Sequence, residues 1–340
     1  VRMGSMNPPV CNDQLQAIAV DGTYAYVLYY NQQYLSSSLQ ILDVSQPLQP
    51  VQKSAYPVRG KAFDVRVVDT VAYLTTRFVG FHVIDVSQPE APVRVAVYDQ
   101  IAEGIAVING YAYLATFLGL RVIDVRVPVS LALTGQYNTI GSLAGLQVID
   151  NVAYALEAGT VEGSTPALHV IDVRDVSQPT GPMPLGSYPT GELHGLPGGG
   201  VEVRQSHAYV ATYRGLQVID VSNPGLPTLV GRVAAESEFG VQVEGAYAYS
   251  RNRSQLTIID VSNRATPTVR GRYEMSYAYS PAGWEVVGSY AYLAVPNAGN
   301  PIAGLVVLDV SNPDSPVRVG NYSTAGYAQD VCVVGSYAYV

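Results

Sequence analysis

Lysine is almost missing from this chain. Of 340 residues only Lys53 and Lys61 are lysines, and Lys plus Arg number 19 against 27 Asp plus Glu, a net charge of -8. No basic run exists, so the electrostatic footprint of nucleic-acid binding is absent. No apolar stretch approaches the roughly eighteen residues that a membrane-spanning helix needs, and no signal-peptide pattern is visible. Four histidines at scattered positions give no metal-ligand spacing. No Ser or Cys nucleophile stands beside a paired base. A 3.6-residue apolar period is lacking throughout, and Gly and Pro punctuate the chain every ten or so residues, which excludes a solenoid of helical repeats.

What remains is alternation and repetition. Gly215-Leu216-Gln217-Val218-Ile219-Asp220-Val221-Ser222-Asn223-Pro224 is an alternating run that ends in an Asp and a turn. Asp43, Asp85, Asp124, Asp172, Asp220, Asp260 and Asp309 recur in the same setting, spaced 42, 39, 48, 48, 40 and 49 residues apart. A unit of about forty residues is the blade of a propeller. One unit shows the strands. Gly240–Val243 and Tyr247–Tyr249 flank a Gly-containing turn and read as a hairpin, strands A and B. Leu256–Asp260 is strand C and Thr268–Tyr273 is strand D. Four antiparallel strands rich in Val, Ile and Tyr fit one blade.

The Gly-Leu-x-Val-Ile-Asp-Val-Ser-Asn-Pro unit with Tyr-Ala-Tyr upstream resembles the LVIVD repeat of bacterial and archaeal proteins. The resemblance covers nearly the whole chain. It departs at Asp124–Pro128, which lacks Ser-Asn, and at Asp172–Ser177, which carries an insertion. It implies a propeller and a secreted or cell-surface location, and it brings no catalytic residues.

Strand B occurs eight times and strand C seven. Val1–Met6 matches the strand D Val317–Tyr322. The expected chain is therefore a single all-β propeller over 1–340: an orphan outer strand at 1–6, seven full blades over 15–327, and the first two strands of a last blade at 328–340. Eight blades close this arrangement, with a seven-bladed ring and pendant strands as the alternative. Strand C of the last blade is missing, so a longer chain is expected.

The repeated Asp, with Ser and Asn beside it, could offer oxygen ligands to calcium. The same residues before Pro also suit a tight turn, and calcium loops use more carboxylates. No metal or cofactor is expected. Strand A begins on small residues in most blades, with Asp64 and Asp330 as the odd members able to line the channel. His82 and His169 share a strand C position that elsewhere holds Gln, Arg, Thr or Val, a structural role. Glu192 and His194 form the one pair resembling an acid–base couple. Cys11 and Cys332 read either as two small buried thiols or as a disulfide across the ring closure, which would need an oxidising compartment.

Tyrosine is the most informative residue type. Of 26, nineteen repeat with the blade and read as inter-blade packing. Tyr29, Tyr30, Tyr34, Tyr213, Tyr277, Tyr279 and Tyr327 do not; they fall near B–C or D–A connections, which share one face. The insertions Asn31–Ser38, Glu157–Pro166, Pro189–Gly199, Glu274–Ala282 and Pro296–Ala303 fall there too. Variable loops on a rigid scaffold carry binding. The sequence thus points to a non-enzymatic binding or scaffold module of an exported protein, whose Tyr-rich loop face, with Glu192 and His194, contacts protein or glycan. The alternative is an enzyme, a hydrolase or quinone-dependent oxidoreductase, with a site at the channel mouth.

Overall fold

The alternating runs become thirty β-strands and no helix among the described residues of the computed structural model. The structure describes residues 13–31, 33–47, 49–159, 163–175, 181–191, 200–235, 240–252, 254–275, 283–296, 304–324 and 328–340. Blade one is β1 (Asp13–Asp21), β2 (Tyr24–Asn31), β3 (Ser36–Asp43) and β4 (Val51–Arg59). Blade two is β5 (Ala62–Val68), β6 (Val71–Thr76), β7 (Gly80–Asp85) and β8 (Val93–Tyr98). Blade three is β9 (Ala102–Ile108), β10 (Tyr111–Thr116), β11 (Gly119–Asp124) and β12 (Ala132–Asn138). Blade four is β13 (Leu143–Ile149), β14 (Val152–Glu157), β15 (Ala167–Asp172) and β16 (Met183–Pro189). Blade five is β17 (Val201–Arg204), β18 (His207–Thr212), β19 (Gly215–Asp220) and β20 (Thr228–Val233). Blade six is β21 (Val241–Glu244), β22 (Tyr247–Arg251), β23 (Gln255–Asp260) and β24 (Thr268–Glu274). Blade seven is β25 (Trp284–Val287), β26 (Tyr290–Val295), β27 (Gly304–Asp309) and β28 (Val317–Tyr322). Each is a four-stranded antiparallel sheet in sequence order, and β29 (Cys332–Val334) with β30 (Tyr337–Tyr339) forms a two-stranded sheet.

This is a β-propeller. Innermost strands meet in succession from β1 to β25; β29 touches both β25 and β1. The two-stranded sheet therefore sits between blade seven and blade one. The orphan strand expected at 1–6 lies outside the described residues.

Packing follows from the middle Tyr of strand B. Tyr26 enters a cluster with Val65 and Leu74 of blade two, and Tyr73 one with Ile105 and Leu114 of blade three. Tyr113, Tyr154, Tyr209 and Tyr249 repeat this forward step. At the last junction Leu15, Ile18 and Val27 of blade one pack against Cys332 and Tyr339. The second strands are buried on both faces, whereas the fourth strands are largely exposed. A register shift lies opposite the third strand in every four-stranded blade, as between Val218 and Ile219. Such bulges twist the outer edge and protect it from stray pairing.

Two glycines show why the repeat reads as it does. Gly215 opens β19 at φ 127°, and a Cβ there would lie 2.0 Å from the Val233 carbonyl oxygen. Gly231 in β20 lets the next blade's turn approach, because a Cβ would meet the Arg264 carbonyl at 2.2 Å. The repeated Asp serves the turn. All seven accept a hydrogen bond from the backbone N–H two residues on, Asp43 from Ser45 at 3.0 Å and Asp220 from Ser222 at 2.8 Å among them. Side-chain hydrogen bonds from the serine two residues on, or from Arg126 and Arg174 at Asp124 and Asp172, hold the carboxyls below the ordinary carboxylate range, with the backbone bonds adding to them.

One expected loop is shorter than the sequence suggested. Half of Asn31–Ser38 belongs to β2 and β3, whose ladder runs to the Asn31–Ser36 pair. Asn31 Oδ1 then accepts from Gln33 N and Tyr34 N, both at 3.0 Å, and closes a tight connection.

Candidate functional site

Antiparallel order places the second-to-third strand turns and the links between blades at one end of the propeller. This loop face carries exposed apolar side chains in successive blades. Tyr34 and Leu35 stand on the β2–β3 turn at 67% and 69% exposure, Phe78 on the β6–β7 turn at 73%, and Phe117 and Leu118 on the β10–β11 turn. Ile140, at 65%, follows on the link into blade four, where Thr139 N donates to the Leu118 carbonyl at 3.4 Å. Tyr213 stands exposed on the β18–β19 turn. Cations sit among them. Lys61 Nζ lies 5.6 Å from the Tyr30 ring centroid, and the Arg77 guanidinium lies 5.6 Å from that of Phe78. Arg77 N donates to the Lys61 carbonyl at 2.8 Å, which ties blade two's turn to the link before it. Burial, and secondarily Arg77, depresses the Lys61 pKa. The opposite end, by contrast, collects the repeated aspartates with Asp21, Asp69, Asp150 and Glu244.

Of the tyrosines singled out from the sequence, Tyr34 and Tyr213 project from turns. Tyr29 and Tyr30 lie within β2, half-buried, and Tyr29 packs into the junction cluster beside Cys332. Tyr277, Tyr279, Tyr327, Glu192, His194 and Cys11 lie outside the described residues. Cys332 is a free, half-buried thiol. Burial, with Glu285 and Asp330 nearby, pushes its pKa up to about 11.

Asp64 and Asp330 are half-buried at the innermost strands. Each bonds the neighbouring blade's innermost strand: Asp64 accepts from Ile105 N, and Asp330 Oδ2 accepts from Ile18 N at 3.1 Å. Burial raises the pKa of both, that of Asp330 to about 6. They belong to a wider set of inter-blade braces that sequence reasoning missed. Gln147 Oε1 accepts from Val203 N at 2.6 Å, Glu202 Oε2 from Val243 N at 2.6 Å, Gln242 Oε1 from Val286 N at 2.7 Å, and Glu285 Oε2 from Val333 N at 2.7 Å. Cys332 accepts from Val20 N at the same position. An innermost strand has no partner on its channel side, so its N–H groups need acceptors. The visible signal was polar residues recurring in the middle of otherwise apolar strands.

The sequence also hid a side-chain network between blades three and four. His169 Nδ1 lies 3.1 Å from Tyr137 Oη, and Nε2 lies 2.7 Å from Glu157 Oε2. Gly141 N donates to the other oxygen of Glu157, which is buried. Both ring nitrogens are thus engaged within the protein. His82 is buried against Thr76, and burial lowers its pKa to about 4, so the ring stays neutral. Among the described residues no three His, Cys, Asp or Glu side chains converge as a metal site.

The LVIVD repeat matches residues 14–58, 59–100, 101–139, 199–235, 239–275, 284–324 and 325–340. The chain belongs to the LVIVD-repeat family. Blade four falls between the matched LVIVD segments, yet it has the same four strands, and its Asp172 makes the same turn bond. Among curated proteins nothing matches. Solved structures share the fold at low identity. Sqt1 of Saccharomyces cerevisiae has a TM-score of 0.71 at 8% identity, over 97% of this chain and 90% of that one. BamB of Moraxella catarrhalis has 0.60 at 13%, over 83% and 80%. PorZ of Porphyromonas gingivalis, a bacterial surface component of the type-IX secretion system, has 0.54 at 14%, over 94% of this chain and 39% of that one.

Proposed function

We propose that this LVIVD-repeat propeller is a non-enzymatic binding module of an exported or cell-surface protein, and that its loop face holds a protein or a glycan. The observation that carries the reading is the run of exposed apolar side chains on the turns of blades one to three. Tight turns do not require Phe78, Phe117 or Leu118 to stand in water, and contiguous exposed apolar surface marks interaction sites. In this reading the Tyr137–His169–Glu157 network ties blades three and four together. The exported location draws on the family resemblance and on the likeness to PorZ, itself a surface component.

We further propose an eight-bladed ring in which β29 and β30 are the first half of the last blade. Support comes from the braces Glu285–Val333, Cys332–Val20 and Asp330–Ile18, which engage the two-stranded sheet on both sides. Screening on peptide and glycan arrays tests the binding reading. Ligands are expected that are lost with Tyr34→Ala and Tyr213→Ala but survive Glu192→Ala and His194→Ala. A turnover that depends on Glu192 or His194, or an array with no ligand at all, would refute it.

A further inference from the structure

Resting on that reading, we infer that the loop face of blades one to three takes an acidic protein segment bearing apolar or aromatic side chains, and not a glycan. Two sets of side chains interleave there. The first is apolar: Tyr34, Leu35, Phe78, Phe117, Leu118 and Ile140. Five of these, all but Tyr34, are pure hydrocarbon side chains, and Leu35, Leu118 and Ile140 are aliphatic. Aliphatic knobs bury well against protein side chains and gain little from sugar hydroxyls. The second set is cationic. Arg59 ends β4, Lys61 lies on the link from blade one to blade two, and Arg77 lies on the β6–β7 turn. Among the described residues no carboxylate stands within ion-pair distance of these three, in contrast to Lys53, Arg66, Arg126 and Arg270, each of which has one. Asp64 is the acid nearest in the chain and pairs with Arg66; Glu103 is half-buried, and burial raises its pKa although Arg77 opposes the rise.

Charge complementarity chooses the occupant. The chain carries -8 overall, and among the described residues the repeated aspartates stand at the opposite end, so Arg59, Lys61 and Arg77 on the loop face run against the net charge. Lys61 and Arg77 repel one another, and a carboxylate placed between them relieves that repulsion while the flanking rings exclude water. A segment alternating acidic and apolar residues meets both sets at once.

The experiment measures binding of a labelled random Glu–Tyr copolymer by fluorescence anisotropy. Poly-Glu, a Lys–Tyr copolymer and vesicles of phosphatidylcholine with phosphatidylserine serve as comparators. The Glu–Tyr copolymer should bind, with an affinity that falls as salt is raised. Phe78→Ser and Leu118→Ser should each weaken it about tenfold, and Arg59→Glu with Arg77→Glu should remove both the binding and its salt dependence. Val129→Ser, an exposed change at the opposite end, should leave it unchanged. All of these side chains are exposed, and unaltered thermal unfolding of each variant verifies the fold. Absence of copolymer binding overturns the inference, as does equal binding of poly-Glu or capture by the vesicles instead. If arrays still yield a ligand that depends on Tyr213, the inference fails while the binding reading stands.

Discussion

Replacing Glu202 by alanine and by glutamine separates a structural brace from an ordinary surface carboxylate. Glu202 Oε2 accepts from Val243 N at 2.6 Å across the junction of blades five and six, while Oε1 accepts from Arg204 Nε at 2.7 Å. Glu202→Ala leaves a Val243 N–H without its acceptor beside a buried side chain, which costs about 1–3 kcal/mol. Glu202→Gln keeps an acceptor oxygen, and Gln147 and Gln242 do the same task one blade away on either side. The alanine variant should therefore unfold about 3 °C lower, since 2 kcal/mol is spread over an unfolding entropy of roughly 0.7 kcal/mol/K for a chain of this length. A pH series adds a second reading. Burial raises the Glu202 pKa above its ordinary 4.5, with Arg204 and Val243 N opposing. The folded state then holds the proton more tightly, and the stability this contributes is present below 4.5 and lost as pH rises through the folded value. Glutamine cannot lose a proton, so that variant should equal or exceed the wild type at neutral pH. Differential scanning calorimetry of the three proteins reads both effects. Equal unfolding temperatures for the alanine and glutamine variants would refute the brace.

The remaining expectations concern the closing junction and the repeat. Asp330, at about 6 in the fold against an ordinary 3.8, should contribute stability that declines between those two pH values, by at most about 3 kcal/mol; Asp330→Ala should flatten that slope in chemical denaturation. Asp220→Ala should cost about 1 kcal/mol by removing the acceptor for Ser222 N, whereas Asp220→Asn should retain most of it, a comparison made by urea titration. Gly215→Ala should cost on the order of 3 kcal/mol or more, because the φ of 127° and the Val233 carbonyl both oppose a Cβ, and soluble yield and unfolding temperature should fall together.

The propeller was legible because its blades repeat: each Asp ends a buried third strand and anchors the following turn, so seven copies of one local rule announce the architecture. Blade four was read correctly from Asp172 despite its altered turn, since alternation in β14 and β15 survives the insertion. The braces were visible only as polar oddities at Gln147, Glu202, Gln242 and Glu285. Their meaning depends on which N–H lies across the junction, and no single strand carries that information. Tyr137, Glu157 and His169 come from three strands in two blades and have no local pattern. On the loop face, counting tyrosines drew attention to Tyr29, which packs inside, and away from Phe78 and Leu118, which stand exposed on their turns.

Hydrogen–deuterium exchange with and without a bound ligand, the Glu–Tyr copolymer or one drawn from the arrays, tests the central claim most directly. Binding at the loop face predicts slowed exchange in the turns at Tyr34–Ser36, Arg77–Gly80 and Phe117–Gly119. Protection confined to the Asp-anchored turns at the opposite end, or protection nowhere, would contradict it.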